Sequence, residues 1–192
     1  QARASVQGSG VPVMPVPRQA APADLSIYQA NGGPSAGAVA SLQDHVDRFV
    51  ARMGPSAQAA SAASGVPAPL ILAQAALESG WGKREIRGED GAQSFNLFGI
   101  KADRSWKGPT VEVTTTEYVD GEPQKVRAKF RAYGSYDEAF TDYARFITRN
   151  PRYADVLATD DPAQAAHGLQ RAGYATDPQY GNKLVRIMQK FG

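Results

Sequence analysis

The chain has 192 residues, 42% of them hydrophobic, enough to close one domain around a core. Its 21 basic and 19 acidic residues leave a formal net charge of +2, too balanced to indicate nucleic acid and compatible with a mildly anionic polymer as partner. There is no cysteine, so disulfides and thiolate metal sites are excluded; the histidines, His45 and His167, stand too far apart in sequence to pair on a metal, and no cofactor is implied.

Residues 1–38 are rich in Ala, Pro, Ser, Gly and Gln and read as a linker that packs on the domain or on a neighbouring copy. They lack the basic start and apolar core of a signal peptide, and Gln1 reads as the cut end of a longer protein or a processed form. The domain is expected over 39–192. Behind a Ser41 cap, Leu42, Val46, Phe49, Val50 and Met53 recur at helical spacing, and Gly54-Pro55 is expected to stop that helix. A second, Ala-rich helix is predicted over 56–63, and a third over 68–78, stopped by Gly80. Residues 83–109 have no clean period and read as loop with short helical pieces. No run reaches the roughly 18 apolar residues of a membrane span, so no membrane insertion is expected.

A hairpin follows. Val111, Val113 and Thr115 alternate toward the turn Asp120-Gly121, and Val126, Ala128 and Phe130 alternate back. A two-residue turn pairs Val119 with Glu122, Thr115 with Val126, Val113 with Ala128 and Val111 with Phe130. Ser135-x-x-Glu138 is a capping box before a helix that places Tyr136, Ala139, Phe140, Tyr143 and Ile147 on one face. Asp161-Pro162 starts another helix, ended by Gly173, and a last one carries Tyr180, Leu184, Ile187, Met188 and Phe191. The elements predict an α+β domain, mostly helical, with one antiparallel hairpin.

One residue stands out. Glu78 ends the apolar stretch "ILAQAALESGWG", four residues after Gln74 and between Leu77 and Trp81. The last turn of a helix carries unpaired carbonyls and the negative end of the macrodipole, and apolar neighbours remove water; both disfavour the ionised carboxyl and raise its pKa. A raised carboxyl pKa suits a general acid near neutrality. The plainer reading is a surface glutamate that happens to fall in the last turn.

"AQAALESGWGKREI", "FNLFGIKA", "WKGP", "TTTEY", "FRAYGSYDEAFTDYARFI", "RNPRYA" and "AGYATDPQY" occur in this order. Together, over roughly residues 41–192, they resemble the catalytic half of flagellar peptidoglycan hydrolases, within the bacterial endo-β-N-acetylglucosaminidases of lysozyme-like fold. The resemblance implies that Glu78 is the acid of the ALES motif, that Glu117 in TTTEY is the second carboxylate, and that Tyr174 lines the active site. It also implies peptidoglycan glycan strands as substrate, a periplasmic site of action, and flagellar rod components as partners through an amino-terminal half absent from this chain.

Glycoside hydrolysis generally needs a second group opposite the acid. Glu112, Glu117, Asp120 and Glu122 lie near the hairpin. Period two puts Glu117 on the apolar face with Val111, Val113 and Thr115, toward a cleft, whereas a slip of one residue would turn it to solvent. Tyr174 reads otherwise as a core tyrosine over a helix end. Sugar rings combine apolar faces with hydroxyls, so Asn96, Phe98, Trp106 and Tyr153 are the substrate-binding candidates, against core or capping roles for each. Trp81 is assigned to packing behind Glu78.

The leading expectation is hydrolysis of the β-1,4 bond between N-acetylglucosamine and N-acetylmuramic acid. The rivals are a muramidase or lytic transglycosylase of the same fold, and a non-catalytic wall-binding or rod-assembly module. A phosphate loop is absent from the sequence.

Overall fold

The structure, a computed structural model, describes residues 36–191. Residues 1–35, most of the stretch read as a linker, lie outside the described residues. The first helix, α1 (Ala36–Ser64), begins ahead of the expected Ser41 cap and runs through Gly54-Pro55. The two helices expected there are therefore one. Val46, Phe49, Met53, Ala57 and Ala60 are all buried, one stripe that continues in register past the proline. Pro55 deprives the Ala51 carbonyl of its helical donor, but both residues are exposed, so water can take the donor's place.

The second helix, α2 (Ala68–Ser79), is apolar on every side, with Leu70 through Ala76 buried without a break. Such a helix must be enclosed, and it packs against α1 and two later helices, α5 (Pro162–Arg171) and α6 (Tyr180–Gln189). It ends as predicted. Gly80 is left-handed, with φ 57°, and the N–H groups of Gly80 and Trp81 both reach the Ala76 carbonyl. A Cβ at Gly80 would stand 2.6 Å from Arg84 Nε, so this exit suits glycine on two counts.

Residues 83–109 contain no helical piece; turns and two isolated bridges, Arg87–Gln93 and Lys101–Phe130, order them. The hairpin, β1 (Thr110–Val119) and β2 (Glu122–Arg131), has the predicted register throughout. Asp120 and Gly121 both have positive φ, 52° and 79°, as a two-residue type I′ turn requires. Its inner face forms a small cluster of Ile86, Val111, Val113, Ala128, Phe130 and Ala132, separate from the helical core. A two-stranded sheet is marginal alone, and this one is tied down at its base. Buried Arg131 donates to Asp142 Oδ2 at 3.0 Å and to the Lys101 carbonyl at 3.2 Å.

Asp142 belongs to α3 (Tyr136–Arg149), whose Ser135 Oγ accepts from Glu138 N at 3.2 Å while the Glu138 carboxylate accepts from Gly134 N at 2.7 Å. A 3₁₀ turn (Pro151–Tyr153) and a single-turn helix, α4 (Ala154–Leu157), follow, neither anticipated. The Asp161 side chain caps α5 at Ala163 N, 2.9 Å. The result is a helical lobe with one antiparallel hairpin, an α+β lysozyme-like fold.

Because Pro55 interrupts a helix on its exposed side, Pro55→Ala should restore one hydrogen bond without disturbing the stripe. We expect a gain of about 1–2 kcal/mol, less than the full helix-interior penalty because proline also restricts the unfolded chain. Denaturant unfolding checks this; a loss of stability would mean that Gly54-Pro55 is a required bend.

Candidate active site

The end of α2 gathers the site. Gln74 and Glu78 lie one turn apart on the same face. Gln74 is fully buried; Glu78 retains some solvent-accessible surface. Tyr180, the first residue of α6, donates its hydroxyl to Glu78 Oε1 at 3.0 Å and accepts from Gln74 Nε2 at 3.1 Å. The Gln74 carbonyl oxygen in turn accepts from the Tyr143 hydroxyl of α3. On the other side, Gly99 adopts φ 67°, and a Cβ there would come within 3.4 Å of Glu78 Oε2. The positive φ is what calls for glycine here, and it brings backbone rather than a side chain against that oxygen.

Burial pushes the Glu78 carboxyl up to about 7, and the Tyr180 hydrogen bond pulls only partly the other way. The direction is the one expected from the sequence, and enclosure is its principal cause. Such a group is partly protonated at neutral pH and can deliver a proton.

Tyr174 is 1% exposed. Its hydroxyl donates to the Phe98 carbonyl at 3.2 Å, and its ring stacks on that of Tyr180 at 5.8 Å. It thus stands beside Glu78's hydrogen-bond partner and against the strand of loop leading into Gly99. Glu117 pairs with Gln124 across the hairpin, on the strand face of Val111 and Val113; its side chain lies outside the described residues.

The binding candidates separate. Asn96 is 2% exposed, and its amide organises the loop beside Glu78. Nδ2 donates to the Ile100 and Arg131 carbonyls at 2.9 and 3.0 Å, and Oδ1 accepts from Phe98 N and Ile100 N at 3.2 and 3.3 Å. Phe98 and Tyr153 are 0% exposed, so in this structure they are core residues with no face to offer a sugar. Phe98 stacks on Tyr143 at 4.3 Å. Trp106 keeps exposed surface, with its ring edge-on to Tyr133 at 5.6 Å and its Nε1–H donating to the Pro109 carbonyl at 2.7 Å. Trp81 packs edge-on between Phe49 and Phe191, at 5.6 and 6.0 Å.

Tyr180, Gln74, Tyr143 and Gly99 were not assigned to the site from sequence. The only signals were the four-residue step from Gln74 to Glu78 and the final letter of "AGYATDPQY".

The raised pKa has a consequence for stability. Below the ordinary glutamate value of 4.5 both folded and unfolded chains are protonated at Glu78, and folding carries no penalty from it. As pH climbs toward about 7, the unfolded chain ionises while the folded one resists, so this contribution is lost. Glu78→Gln should match the parent near pH 4 and exceed it above pH 7 by up to about 3 kcal/mol. Urea unfolding across that range checks this; a constant difference between the two proteins would show that Glu78 is solvated.

The chain is similar to known proteins over most of its length. Residues 54–192 match the glucosaminidase family model, described as mannosyl-glycoprotein endo-beta-N-acetylglucosaminidase. The chain is 57% identical over 150 residues to the peptidoglycan hydrolase FlgJ of Escherichia coli K12, covering 78% of this chain and 48% of that protein. It therefore spans about half the length of that relative. Among solved structures, a C-terminally truncated glycoside hydrolase domain of Salmonella typhimurium FlgJ matches with a TM-score of 0.66 and 56% identity, over 76% of this chain and 97% of that one. A peptidoglycan hydrolase of Sphingomonas sp. A1 matches with a TM-score of 0.66 and 45% identity, over 75% and 92%. By its family model, its relatives and its fold, the chain belongs to the glucosaminidase family of glycoside hydrolases.

Proposed function

We propose that the chain hydrolyses peptidoglycan glycan strands, cutting the β-1,4 bond between N-acetylglucosamine and N-acetylmuramic acid. The observation that carries this is the Glu78 carboxyl, largely buried, raised to a pKa of about 7, and flanked at Oε2 by a glycine, Gly99, where a Cβ would stand 3.4 Å away. Glu78 donates its proton to the glycosidic oxygen as the bond to the anomeric carbon breaks, and the leaving sugar departs as an alcohol. Glu117, or the substrate's own acetamido group, works from the opposite face, and water completes the hydrolysis. A proton returns to Glu78 and the site is restored. Tyr174 would orient the acetamido group or the attacking water by exchanging its bond to the Phe98 carbonyl, and Trp106 offers the free part of its half-buried ring to a sugar face.

The relatives named as peptidoglycan hydrolases support the substrate. We place this activity in the periplasm, opening the wall for a flagellar rod, on the resemblance of the chain's motifs to flagellar peptidoglycan hydrolases. The rod components would be engaged by a further part of a longer protein.

Digestion of purified peptidoglycan tests the reading, with mass spectrometry of borohydride-reduced products. The chain should release fragments ending in reduced N-acetylglucosamine. Reduced N-acetylmuramic acid would identify a muramidase, and a 1,6-anhydro end a transglycosylase. Glu78→Gln keeps the shape and removes the proton donor, so the rate should fall by roughly 10²–10⁴. Because the acid must be protonated, kcat/KM should decline about tenfold per pH unit above the pKa of about 7. A folded Glu78→Gln variant that cuts as fast as the parent would remove Glu78 from the mechanism.

A further inference from the structure

Glu78 has two oxygens, and only one of them can carry the transferable proton usefully. Oε1 accepts from the Tyr180 hydroxyl; Oε2 lies on the side of Gly99, where a Cβ would stand 3.4 Å from it. Which oxygen is protonated depends on which way the Tyr180 hydroxyl points. A phenol can donate to Oε1 or accept from a proton on it. Among the described residues the Tyr180 hydroxyl bonds to Glu78 and Gln74, and Gln74 Nε2 is a donor, so the hydroxyl proton has Glu78 Oε1 as its acceptor.

What fixes Gln74? An amide can turn over and exchange its N and O ends. In this structure the Tyr143 hydroxyl donates to the carbonyl end, which leaves Nε2 for Tyr180, and the pair is fully enclosed, with the Phe98 ring stacked on Tyr143 at 4.3 Å. Donors thus run in one direction, from Tyr143 on α3 through Gln74 on α2 to Tyr180 on α6 and into Oε1. The three helices meet at this chain of bonds, and the buried groups satisfy one another at each step. Tyr174 also faces Tyr180, but its hydroxyl goes to the Phe98 carbonyl and does not enter the chain.

We propose that Gln74, held by Tyr143, is a positioning residue for the Glu78 acid: it directs the Tyr180 hydroxyl onto Oε1 and so keeps the transferable proton on Oε2, on the Gly99 side. The inference rests on Glu78 being the proton donor. Gln74 touches neither substrate nor reacting atoms. Without it, the Tyr180 oxygen can accept a proton from Oε1, and the protonated carboxyl turns its hydrogen inward.

The test reads the carboxyl with and without substrate. In infrared difference spectra across the Glu78 titration, the protonated carboxyl gives a C=O band, identified by its loss in Glu78→Gln. With Oε1 accepting from Tyr180 this band lies low; Gln74→Met and Tyr180→Phe should both move it to higher wavenumber. On soluble glycan fragments, Gln74→Met should lower kcat roughly tenfold with KM unchanged, a fraction of what a general acid contributes. In the Tyr180→Phe background, Gln74→Met should change neither band nor kcat further, because it acts through Tyr180. If Gln74→Met does not fold, Tyr143→Phe, which removes one hydroxyl and frees the amide to turn, should move the band and kcat in the same direction.

A band and kcat untouched by folded Gln74→Met, or by Tyr143→Phe in its place, would overturn the proposal. Equal losses in both backgrounds would overturn it too, assigning Gln74 a merely structural role. Absence of any Glu78 band in the parent is a different failure, which removes the acid itself.

Discussion

The helical lobe is arranged around one carboxyl largely withdrawn from water at the end of an apolar helix. An enclosed carboxylate is unfavourable, and the protein supplies one hydroxyl, from Tyr180, where water would have supplied several donors. The rest of the architecture follows. Leu70 through Ala76 must be covered on all sides, which calls for α1, α5 and α6 together. The chain must leave α2 at once after Glu78, which the left-handed Gly80 allows. It must then bring backbone close to the carboxyl, which Gly99 with its positive φ allows. Finally α6 must return, 102 residues later in sequence, to present Tyr180.

The loop through Gly99 also joins the two lobes. Ala102 N bonds to the Lys129 carbonyl at 2.9 Å and Arg131 N to the Ile100 carbonyl at 3.0 Å, so the base of the hairpin is continuous with the wall of the Glu78 site. Asn96 braces this loop from within, and Arg131, packed over the Trp106 ring at 5.0 Å, ties it to α3. The hairpin base is therefore anchored to the wall of the acid's own environment. A substitution at Asn96 or Arg131 acts on the site through geometry, without touching a sugar.

Some of this was legible in the sequence because local chemistry decides it. Asp120-Gly121 demands a type I′ turn, and that turn fixes the register of every pair along the hairpin. For Glu78 the direction of its pKa was legible, because a carboxyl in the last turn of an apolar helix loses water, whereas its assignment as the acid came from the motif resemblance. Pro55 misled because a local rule met a tertiary one: the buried stripe from Val46 to Ala60 holds the helix together across the missing hydrogen bond. Phe98, Tyr153 and Asn96 misled differently. Aromatic rings and an amide suit a glycan cleft and a packed core equally, and only burial separates the two. Tyr180 and Tyr143 could not be placed because their partners lie 102 and 69 residues away, and a hydroxyl's role depends on what it meets.

The central claim is that enclosure, offset by a single phenol, poises Glu78 as an acid at neutral pH. The most direct measurement is an NMR titration of the ¹³C-labelled Glu78 carboxyl in the free protein, compared with the alkaline pKa of kcat/KM, which reports the free enzyme. The account predicts that both fall together near 7. A carboxyl that titrates in the ordinary range near 4.5, with an activity limb elsewhere, would contradict it.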